Sequence, residues 1–229
     1  MIVLGHRGAS RAHPENTVEA FRGAIDQGAD GVELDVRRTA DGALAVHHDD
    51  VLRDGRAIVD TMLADLPGSV AVLADALEAC APLAVVNIEI KNWPADRDFD
   101  PELRLAGEVV ALLESRGELG DGRALVSSFH LPTIDRVHEM APGLATGWLV
   151  VPADHPEQLI DRAAEHGHVA VHPHHSCVDA ELVERAHRAG LAVNVWTVDD
   201  PEHIRRLAAM GVDAVVTNVP DVALAALAR

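Results

Sequence analysis

The sequence lacks tyrosine, and aromatic residues make up only 3% of its 229 positions. Alanine, valine and leucine must therefore build most of the hydrophobic core. Basic residues are also scarce beside acidic ones, and the formal net charge is −18. Because such a chain is repelled by nucleic-acid backbones and by anionic membrane surfaces, neither is expected as a partner. An anionic small molecule can bind only where the site itself is locally positive.

Cysteine and long apolar runs are equally scarce. The two cysteines, Cys80 and Cys177, show no metal-binding or redox spacing, which favours free thiols. The first residues lack the basic and apolar regions of a signal peptide, and no run of about 20 apolar residues could span a bilayer. We therefore expect a cytoplasmic protein without stable membrane association. The sequence does not indicate an oligomeric state.

Glycine-rich phosphate loops of either common type are absent, and short β-rich runs alternate with helical stretches instead. The predicted strands are Ile2–Gly5, Gly31–Val36, Val85–Ile90, Ala124–Ser128, Ala145–Val150, Val169–His172, Ala192–Trp196 and Ala214–Thr217. Helices are predicted near 15–27, 70–80, 101–116, 131–141, 155–166, 178–189, 200–209 and 220–228. Eight such units predict an α/β fold, a closed (β/α)₈ TIM barrel forming one domain over residues 1–229. An open doubly wound sheet is the alternative.

A ninth β-like run, Ala43–Val46, interrupts the alternation. Its link to the second predicted strand is far too short for a parallel crossover, and Asp41-Gly42 is typical of a turn. The run should therefore fold back antiparallel as a hairpin extension, with residues 33–35 facing residues 47–49. This register would bring His48 beside Glu33 and Asp35.

Charged residues alternate with apolar ones at two predicted strand ends, in Glu33-Leu34-Asp35 and in Glu89-Ile90-Lys91. Residues two apart on a strand share a face, and barrel enzymes place their sites at the carboxyl ends of strands. Glu33, Asp35 and Glu89 should converge there and repel one another, which Mg²⁺ or Ca²⁺ would relieve. The alternative is a set of ordinary salt bridges at the barrel mouth.

Two histidines and two cations accompany these acids. His6 follows the first strand, and His48 comes from the hairpin; either could act in acid–base chemistry, bind a metal, or be structural. Lys91 is the only lysine of the chain, while Arg7 follows His6 directly. Both cations could bind non-bridging phosphate oxygens. The whole set is typical of metal-assisted cleavage of a phosphate ester.

These runs and several others, in order along nearly the whole chain, resemble the glycerophosphodiester phosphodiesterase family. The resemblance rests on His6-Arg7-Gly8, Pro14-Glu15-Asn16-Thr17, Glu33-Leu34-Asp35-Val36, His48-Asp49, Glu89-Ile90-Lys91, Ser127-Ser128-Phe129, Asn194-Val195-Trp196-Thr197-Val198 and Thr217-Asn218-Val219-Pro220. It implies a TIM barrel that hydrolyses glycerophosphodiesters to glycerol phosphate and an alcohol.

The resemblance also implies a role for each matching residue. Glu33, Asp35 and Glu89 would bind the divalent cation, His6 and His48 would be the acid–base pair, Arg7 and Lys91 would contact phosphate, and Trp196 would lie beside the glycerol or the leaving group. Two positions depart from the family pattern. An arginine expected a little after the His-Asp pair is replaced by Asp54, with Arg53 shifted by one, and His47 adds a second imidazole beside His48.

Several questions stay open at this level. Residues 54–69 are too few for the extra domain that some family members insert, so no large insertion domain is expected. Glu15 and Asn16 should cap a helix and brace the His6–Gly8 loop, and His172 could line the mouth. The rival functions are lysophospholipase D-type hydrolysis of lysophospholipids and a non-catalytic phosphodiester-binding barrel. A metal-dependent sugar isomerase or amidohydrolase would not require His6-Arg7-Gly8 or Lys91.

Overall fold

A computed structural model describes residues 1–152 and 156–228 and shows a closed barrel of eight parallel strands with one extra strand. The strands are β1 (Ile2–His6), β2 (Gly31–Arg38), β3 (Leu44–Val46), β4 (Val85–Ile90), β5 (Ala124–Ser128), β6 (Ala145–Val150), β7 (Ala170–Pro173), β8 (Ala192–Val195) and β9 (Ala214–Thr217). Strand β1 pairs in parallel with both β2 and β9, and these pairings close the barrel. The predicted TIM barrel is confirmed.

Helices connect successive parallel strands and cover the outside of the barrel. They are α1 (Val18–Asp26), α2 (Leu73–Ala79), α3 (Arg104–Ser115), α4 (Leu131–Met140), α5 (Pro156–Glu165), α6 (Ala180–Arg188), α7 (Pro201–Ala209) and α8 (Pro220–Ala226). Helix α1 places Phe21 fully inside the core. Because helices and barrel interior cover both faces of the parallel strands, most of the strand residues are buried.

Strand β3 is the predicted hairpin partner of β2. Val36 pairs with Val46 and Arg37 with Ala45 in antiparallel register. The backbone N–H of His47 continues this register by donating to the carbonyl of Asp35 at 3.0 Å. Gly42 adopts φ +82° in the turn, a conformation that glycine reaches without steric cost. The predicted register is therefore confirmed.

Several predicted boundaries were wrong by a few residues. Helix α1 begins at Val18 rather than near residue 15, because the hydroxyl of Thr17 accepts a hydrogen bond from the N–H of Ala20 and acts as the N-cap. Helix α3 begins at Arg104 rather than near 101, after Leu103 takes a left-handed conformation with φ +58°. The start predicted near residue 155 for the fifth helix lies outside the described residues. Among the residues described, every helix is too short or too polar to cross a bilayer.

Candidate active site

Three buried carboxylates meet at the carboxyl ends of two neighbouring strands. Glu33 and Asp35 lie on β2, Glu89 lies on β4, and the register pairs Asp35 with Glu89. Their exposed fractions are 4%, 1% and 8%, and one oxygen of each lies within 4.8 Å of the others. The predicted convergence of the three acids is present.

Two oxygens of this carboxylate cluster lack a hydrogen-bond donor. Oε1 of Glu33 and Oδ1 of Asp35 are buried and accept no hydrogen bond, although the Lys91 ammonium lies 3.5 Å from the Asp35 oxygen. Buried polar atoms are normally satisfied, and an orphaned carboxylate oxygen is costly. These oxygens could coordinate a cation that prefers oxygen ligands, such as Mg²⁺ or Ca²⁺. The three carboxylates therefore fit a hard divalent cation.

Lys91 and Arg7 lie beside the carboxylate cluster. The ammonium of Lys91 donates to Oε1 of Glu89 at 2.7 Å and lies 3.5 Å from Oδ1 of Asp35. Nε of Arg7 lies 3.2 Å from Oδ2 of Asp35, while its Nη1 donates to both oxygens of Glu15. Arg7 adopts φ +55°, and its backbone N–H donates to Oε2 of Glu33 at 3.0 Å. The side chain of Arg7 thus contacts Asp35 and Glu15, and its main chain contacts Glu33.

The neighbouring cations give the three acids different pKa values. Burial raises the pKa of Glu33 well above its ordinary value, and the charges of Asp35 and Glu89 raise it further. Burial likewise raises the pKa of Glu89, against the opposing effect of Lys91. Burial would also raise the pKa of Asp35, but Lys91 and Arg7 together lower it. Asp35 is therefore the most readily ionised of the three acids, and a bound cation would lower the pKa of Glu33 and favour its ionised form.

Asn16 holds the loop that carries His6 and Arg7 against the carboxylates. Its Nδ2 donates to Oδ2 of Asp35 at 2.7 Å, its Oδ1 accepts from the N–H of Asp35, and its own N–H donates to the carbonyl of Arg7. Glu15 pairs with Arg7. The expected bracing by Glu15 and Asn16 is confirmed, but the expected capping was wrong because Thr17 caps α1.

His6 ends β1 and is oriented by a relay of polar side chains. Its Nδ1 lies 2.7 Å from Oδ1 of Asn218, whose Nδ2 donates to Oδ2 of Asp199 at 2.8 Å. Because the amide oxygen of Asn218 can only accept, Nδ1 of His6 carries the proton and Nε2 keeps its lone pair. Nε2 lies 4.0 Å from Oε2 of Glu33. Burial and the nearby Arg7 lower the pKa of His6 and favour this neutral form.

His48 follows the hairpin and is held at both its ring and its backbone. Its Nδ1 lies 2.7 Å from Oδ1 of Asp49, and its carbonyl accepts from Nε of Arg37 at 2.7 Å. Burial lowers the pKa of His48, and Lys91 adds to this effect against the opposing charge of Asp35. Arg37 was missed at the sequence level, because nothing in the sequence distinguishes it from the other arginines among the 18.

A cleft of about 260 Å³ adjoins the carboxylate cluster. Glu89, Lys91 and His48 line it together with Trp93 and Phe129. His48 lines this cleft and the neighbouring His47 does not, although both line an adjoining depression beside Glu15 and Asn16. The geometry thus favours His48 over His47 as the imidazole beside the cleft.

Aromatic side chains continue from the cleft to Trp196. The ammonium of Lys91 lies 5.8 Å from the centre of the Phe129 ring, which packs edge-on against Trp196 at 5.4 Å. Nε1 of Trp196 donates to the carbonyl of His172, so its ring orientation is fixed. Phe129 and Asn218 occur in the runs that carried the family resemblance, but only the structure shows what they touch.

His172 does not line the mouth. It is 1% exposed, and its Nε2 accepts from Nδ2 of Asn194 at 3.0 Å inside the barrel. Burial lowers the pKa of His172 to about 3. The interpretation of His172 as a mouth residue was therefore wrong, and the neutral ring belongs to the barrel core.

Comparison with known proteins agrees with this geometry. The profile of the glycerophosphoryl diester phosphodiesterase family matches residues 6–222. The chain belongs to this family. A glycerophosphodiester phosphodiesterase from Caldanaerobacter subterraneus subsp. tengcongensis is 30% identical over 96% of this chain and 95% of that protein. The members of the family are phosphoric diester hydrolases, and this chain is an enzyme of that class.

Two solved structures of the family superpose on the whole chain. A glycerophosphodiester phosphodiesterase from Thermotoga maritima is 29% identical, with a TM-score of 0.83, and the match covers 98% of that chain. A phosphodiesterase from Oleispira antarctica is 27% identical, with a TM-score of 0.85 over 97% of that chain, and was solved with its product sn-glycerol-3-phosphate. Both matches cover 100% of the present chain, so the fold carries no large insertion.

Proposed function

We propose that this family member is a metal-dependent glycerophosphodiester phosphodiesterase that releases glycerol phosphate and an alcohol by histidine acid–base catalysis. The observation that carries the proposal is the group of three converging carboxylates with two orphaned oxygens beside Lys91 and Arg7. Glu33, Asp35 and Glu89 would hold Mg²⁺ or Ca²⁺. When bound, the cation would polarise a phosphoryl oxygen and stabilise the charge that develops there.

Charge balance supports an anionic substrate at this site in spite of the acidic chain. Glu33, Asp35, Glu89 and the Glu15 that pairs with Arg7 outnumber Lys91 and Arg7 by two charges when all are ionised. A divalent cation would neutralise this excess and remove the repulsion of a phosphodiester. Lys91 and Arg7 would contact its non-bridging oxygens. Trp196, which packs against Phe129 beside the cleft, would lie on the glycerol or leaving-group side.

The two histidines are suited to proton transfer. Nε2 of His6 keeps a lone pair because Asn218 accepts from Nδ1, and lowered pKa values favour the neutral rings of both His6 and His48. One imidazole, in its neutral form, would take the proton of the attacking oxygen. The other would give a proton to the departing alcohol from its imidazolium form, which the negative charge of the bound phosphodiester would favour. The attacking oxygen is either water or the neighbouring glycerol hydroxyl.

A glycerophosphodiester is favoured over a lysophospholipid because the Oleispira antarctica relative was solved with the product sn-glycerol-3-phosphate. A non-catalytic binding barrel is disfavoured because both histidines and all three acids are in place. We also propose that residues 1–229 act as one domain in the cytoplasm, where the free thiols of Cys80 and Cys177 would persist.

The proposal is tested with histidine variants and a matched neighbour. Protein with Mg²⁺ or Ca²⁺ is incubated with glycerophosphocholine, glycerophosphoethanolamine and a lysophospholipid, and phosphorus NMR identifies the products. We expect His6→Asn and His48→Asn each to lower kcat by roughly 10²–10⁴-fold. His47→Asn is the control and should change it little. Turnover of none of the substrates, or full activity of His6→Asn, would refute the proposal.

A further inference from the structure

A second group of metal-ligating side chains lies at the opposite end of the barrel from the carboxylate cluster. Asp135 is on α4, and His166 and His168 are in the turn that joins α5 to β7. This turn precedes β7 and so belongs to the face where the amino ends of the strands emerge. In TIM barrels that face serves stability rather than catalysis. The proposed phosphodiester chemistry uses none of these residues.

The geometry of the group is close to that of a metal site. Oδ1 of Asp135 lies 2.8 Å from Nδ1 of His166 and 3.1 Å from Nε2 of His168. The three atoms all lie within 4.8 Å of one another. A tetrahedral cation with ligand bonds of about 2.0–2.1 Å needs its ligand atoms roughly 3.4 Å apart. Small side-chain rotations would therefore convert the present hydrogen bonds into metal bonds.

His168 is held as ligating histidines usually are. Its side chain is fully buried, and its Nδ1 lies 2.9 Å from the hydroxyl of Thr146, which is also buried. Such a contact fixes the ring orientation and leaves Nε2 directed at Asp135. His168 is therefore already oriented to bind a cation, and only small rotations of the neighbouring side chains are needed.

The backbone brings the two imidazoles to one side. Gly167 separates them with φ +81°, and the rings of His166 and His168 stack with centroids 6.2 Å apart. His138 lies one helical turn after Asp135, and its ring is 6.1 Å from that of His168. The φ of Gly167 favours glycine, and a Cβ atom at this position would come 3.0 Å from Nε2 of His138, so the imidazole lies directly against this turn.

We propose that Asp135, His166 and His168 bind a zinc-like transition-metal cation, with His138 or water completing the coordination. Imidazole nitrogens with one carboxylate suit Zn²⁺ far better than Mg²⁺ or Ca²⁺, which prefer oxygen ligands. The protein would then carry two chemically different metal sites. The zinc-like cation would join α4 to the α5–β7 turn and stabilise the folded barrel.

Equilibrium dialysis against Zn²⁺, with excess Mg²⁺ present to occupy the carboxylate cluster, tests this proposal. Metal content is measured by mass spectrometry, and Co²⁺ replaces Zn²⁺ for a visible absorption spectrum. We expect one equivalent of Zn²⁺, a tetrahedral Co²⁺ spectrum and a raised Tm. His166→Gln and Asp135→Asn should each weaken binding at least about tenfold. Both positions are partly exposed, so these variants should fold.

The matched control is His187→Gln. Nε2 of His187 lies 2.8 Å from Oδ2 of Asp213. The two residues form an exposed histidine–aspartate pair outside the proposed zinc site. This variant should bind Zn²⁺ like the wild type. Absence of Zn²⁺ binding by the wild type would overturn the proposal. So would Zn²⁺ that survives both His166→Gln and Asp135→Asn, because it would be bound elsewhere, for example by the partly exposed imidazoles of His174, His175 and His203.

Discussion

At the scale of single residues, Glu33 shows how a catalytic requirement opposes stability. Its carboxylate is buried between two other acids, and one of its oxygens has no hydrogen-bond donor. A residue that binds a cation must be able to ionise, but without the cation this charge is unfavourable in the folded protein. Sites of this kind are kept for function and lower the stability of the empty fold.

Replacing Glu33 by glutamine should therefore change stability and activity in opposite directions. In the presence of a chelator at neutral pH, Glu33→Gln should raise the free energy of unfolding by about 1 kcal/mol, because a neutral amide replaces a disfavoured charge. The same variant should lose phosphodiesterase activity. Urea denaturation in chelator measures the first effect. A variant less stable than the chelated wild type would contradict the electrostatic account.

Asn218 should act through His6 as a positioning residue. With Asn218→Ala, Nδ1 of His6 loses its acceptor, and we expect kcat to fall by roughly 10–100-fold while KM changes little. With Asn218→Asp, a negative charge beside Nδ1 stabilises the imidazolium and raises the pKa of His6. The limb of the pH–rate profile that His6 governs should then move to higher pH. An unshifted profile in Asn218→Asp would show that Asn218 has only a structural role.

At the scale of elements, the β2–β3 hairpin is fixed by a buried ion cluster on Arg37. Nη1 of Arg37 donates to both oxygens of Asp98, and its Nη2 donates to Asp96 at 2.9 Å. The side chains of Arg37 and Asp98 are only 3% and 4% exposed. Because Nε of Arg37 also holds the carbonyl of His48, the cluster connects the loop after β4 to the predicted catalytic histidine.

Removing Arg37 should be far more costly than removing its neighbour. Arg37→Met leaves Asp98 buried without its partner and should cost about 3–5 kcal/mol of stability. It should also lower kcat, because His48 loses a backbone anchor. Arg38→Met is the matched control, since Arg38 pairs with Glu108 in a partly exposed bridge and should cost at most about 1 kcal/mol. Equal losses in thermal or urea denaturation would contradict this difference.

At the scale of the whole molecule, the buried His172 makes the barrel sensitive to acid. Its pKa is about 3 in the folded state and near 6.5 when exposed, so below pH 6.5 the unfolded chain binds a proton that the folded barrel does not. Stability is therefore lost as the pH falls from about 6.5 towards 3. At pH 5 this single group should cost about 2 kcal/mol relative to neutral pH.

Urea denaturation at pH 7 and pH 5 measures this effect. His172→Gln keeps a neutral polar side chain beside Asn194 and should reduce the loss of stability between the two pH values by about 2 kcal/mol. His187→Gln, which removes an imidazole that is 42% exposed, should leave the loss close to that of the wild type. An unchanged pH dependence in His172→Gln would contradict the assignment.

Much of this architecture could be predicted because local patterns and the global fold agree. The alternation of strands and helices, the glycine at the hairpin turn and the two-residue spacing of Glu33 and Asp35 all indicate the barrel and its acidic mouth. Contacts between distant segments were not predictable. The pairing of His6 with Asn218 joins the two ends of the chain, and the Arg37 cluster and the Asp135 group depend on side-chain orientation that no periodicity encodes.

Dependence of turnover on a divalent cation held by the three carboxylates tests the central claim most directly. Metal-stripped protein is given glycerophosphocholine, first in chelator and then with Mg²⁺ or Ca²⁺ restored, and the release of glycerol phosphate is followed for the wild type and for Glu89→Gln. The wild type should be inactive in chelator and recover fully with the cation, whereas Glu89→Gln should stay roughly 10²-fold slower or more. Full turnover in chelator, or full activity of Glu89→Gln, would contradict the claim.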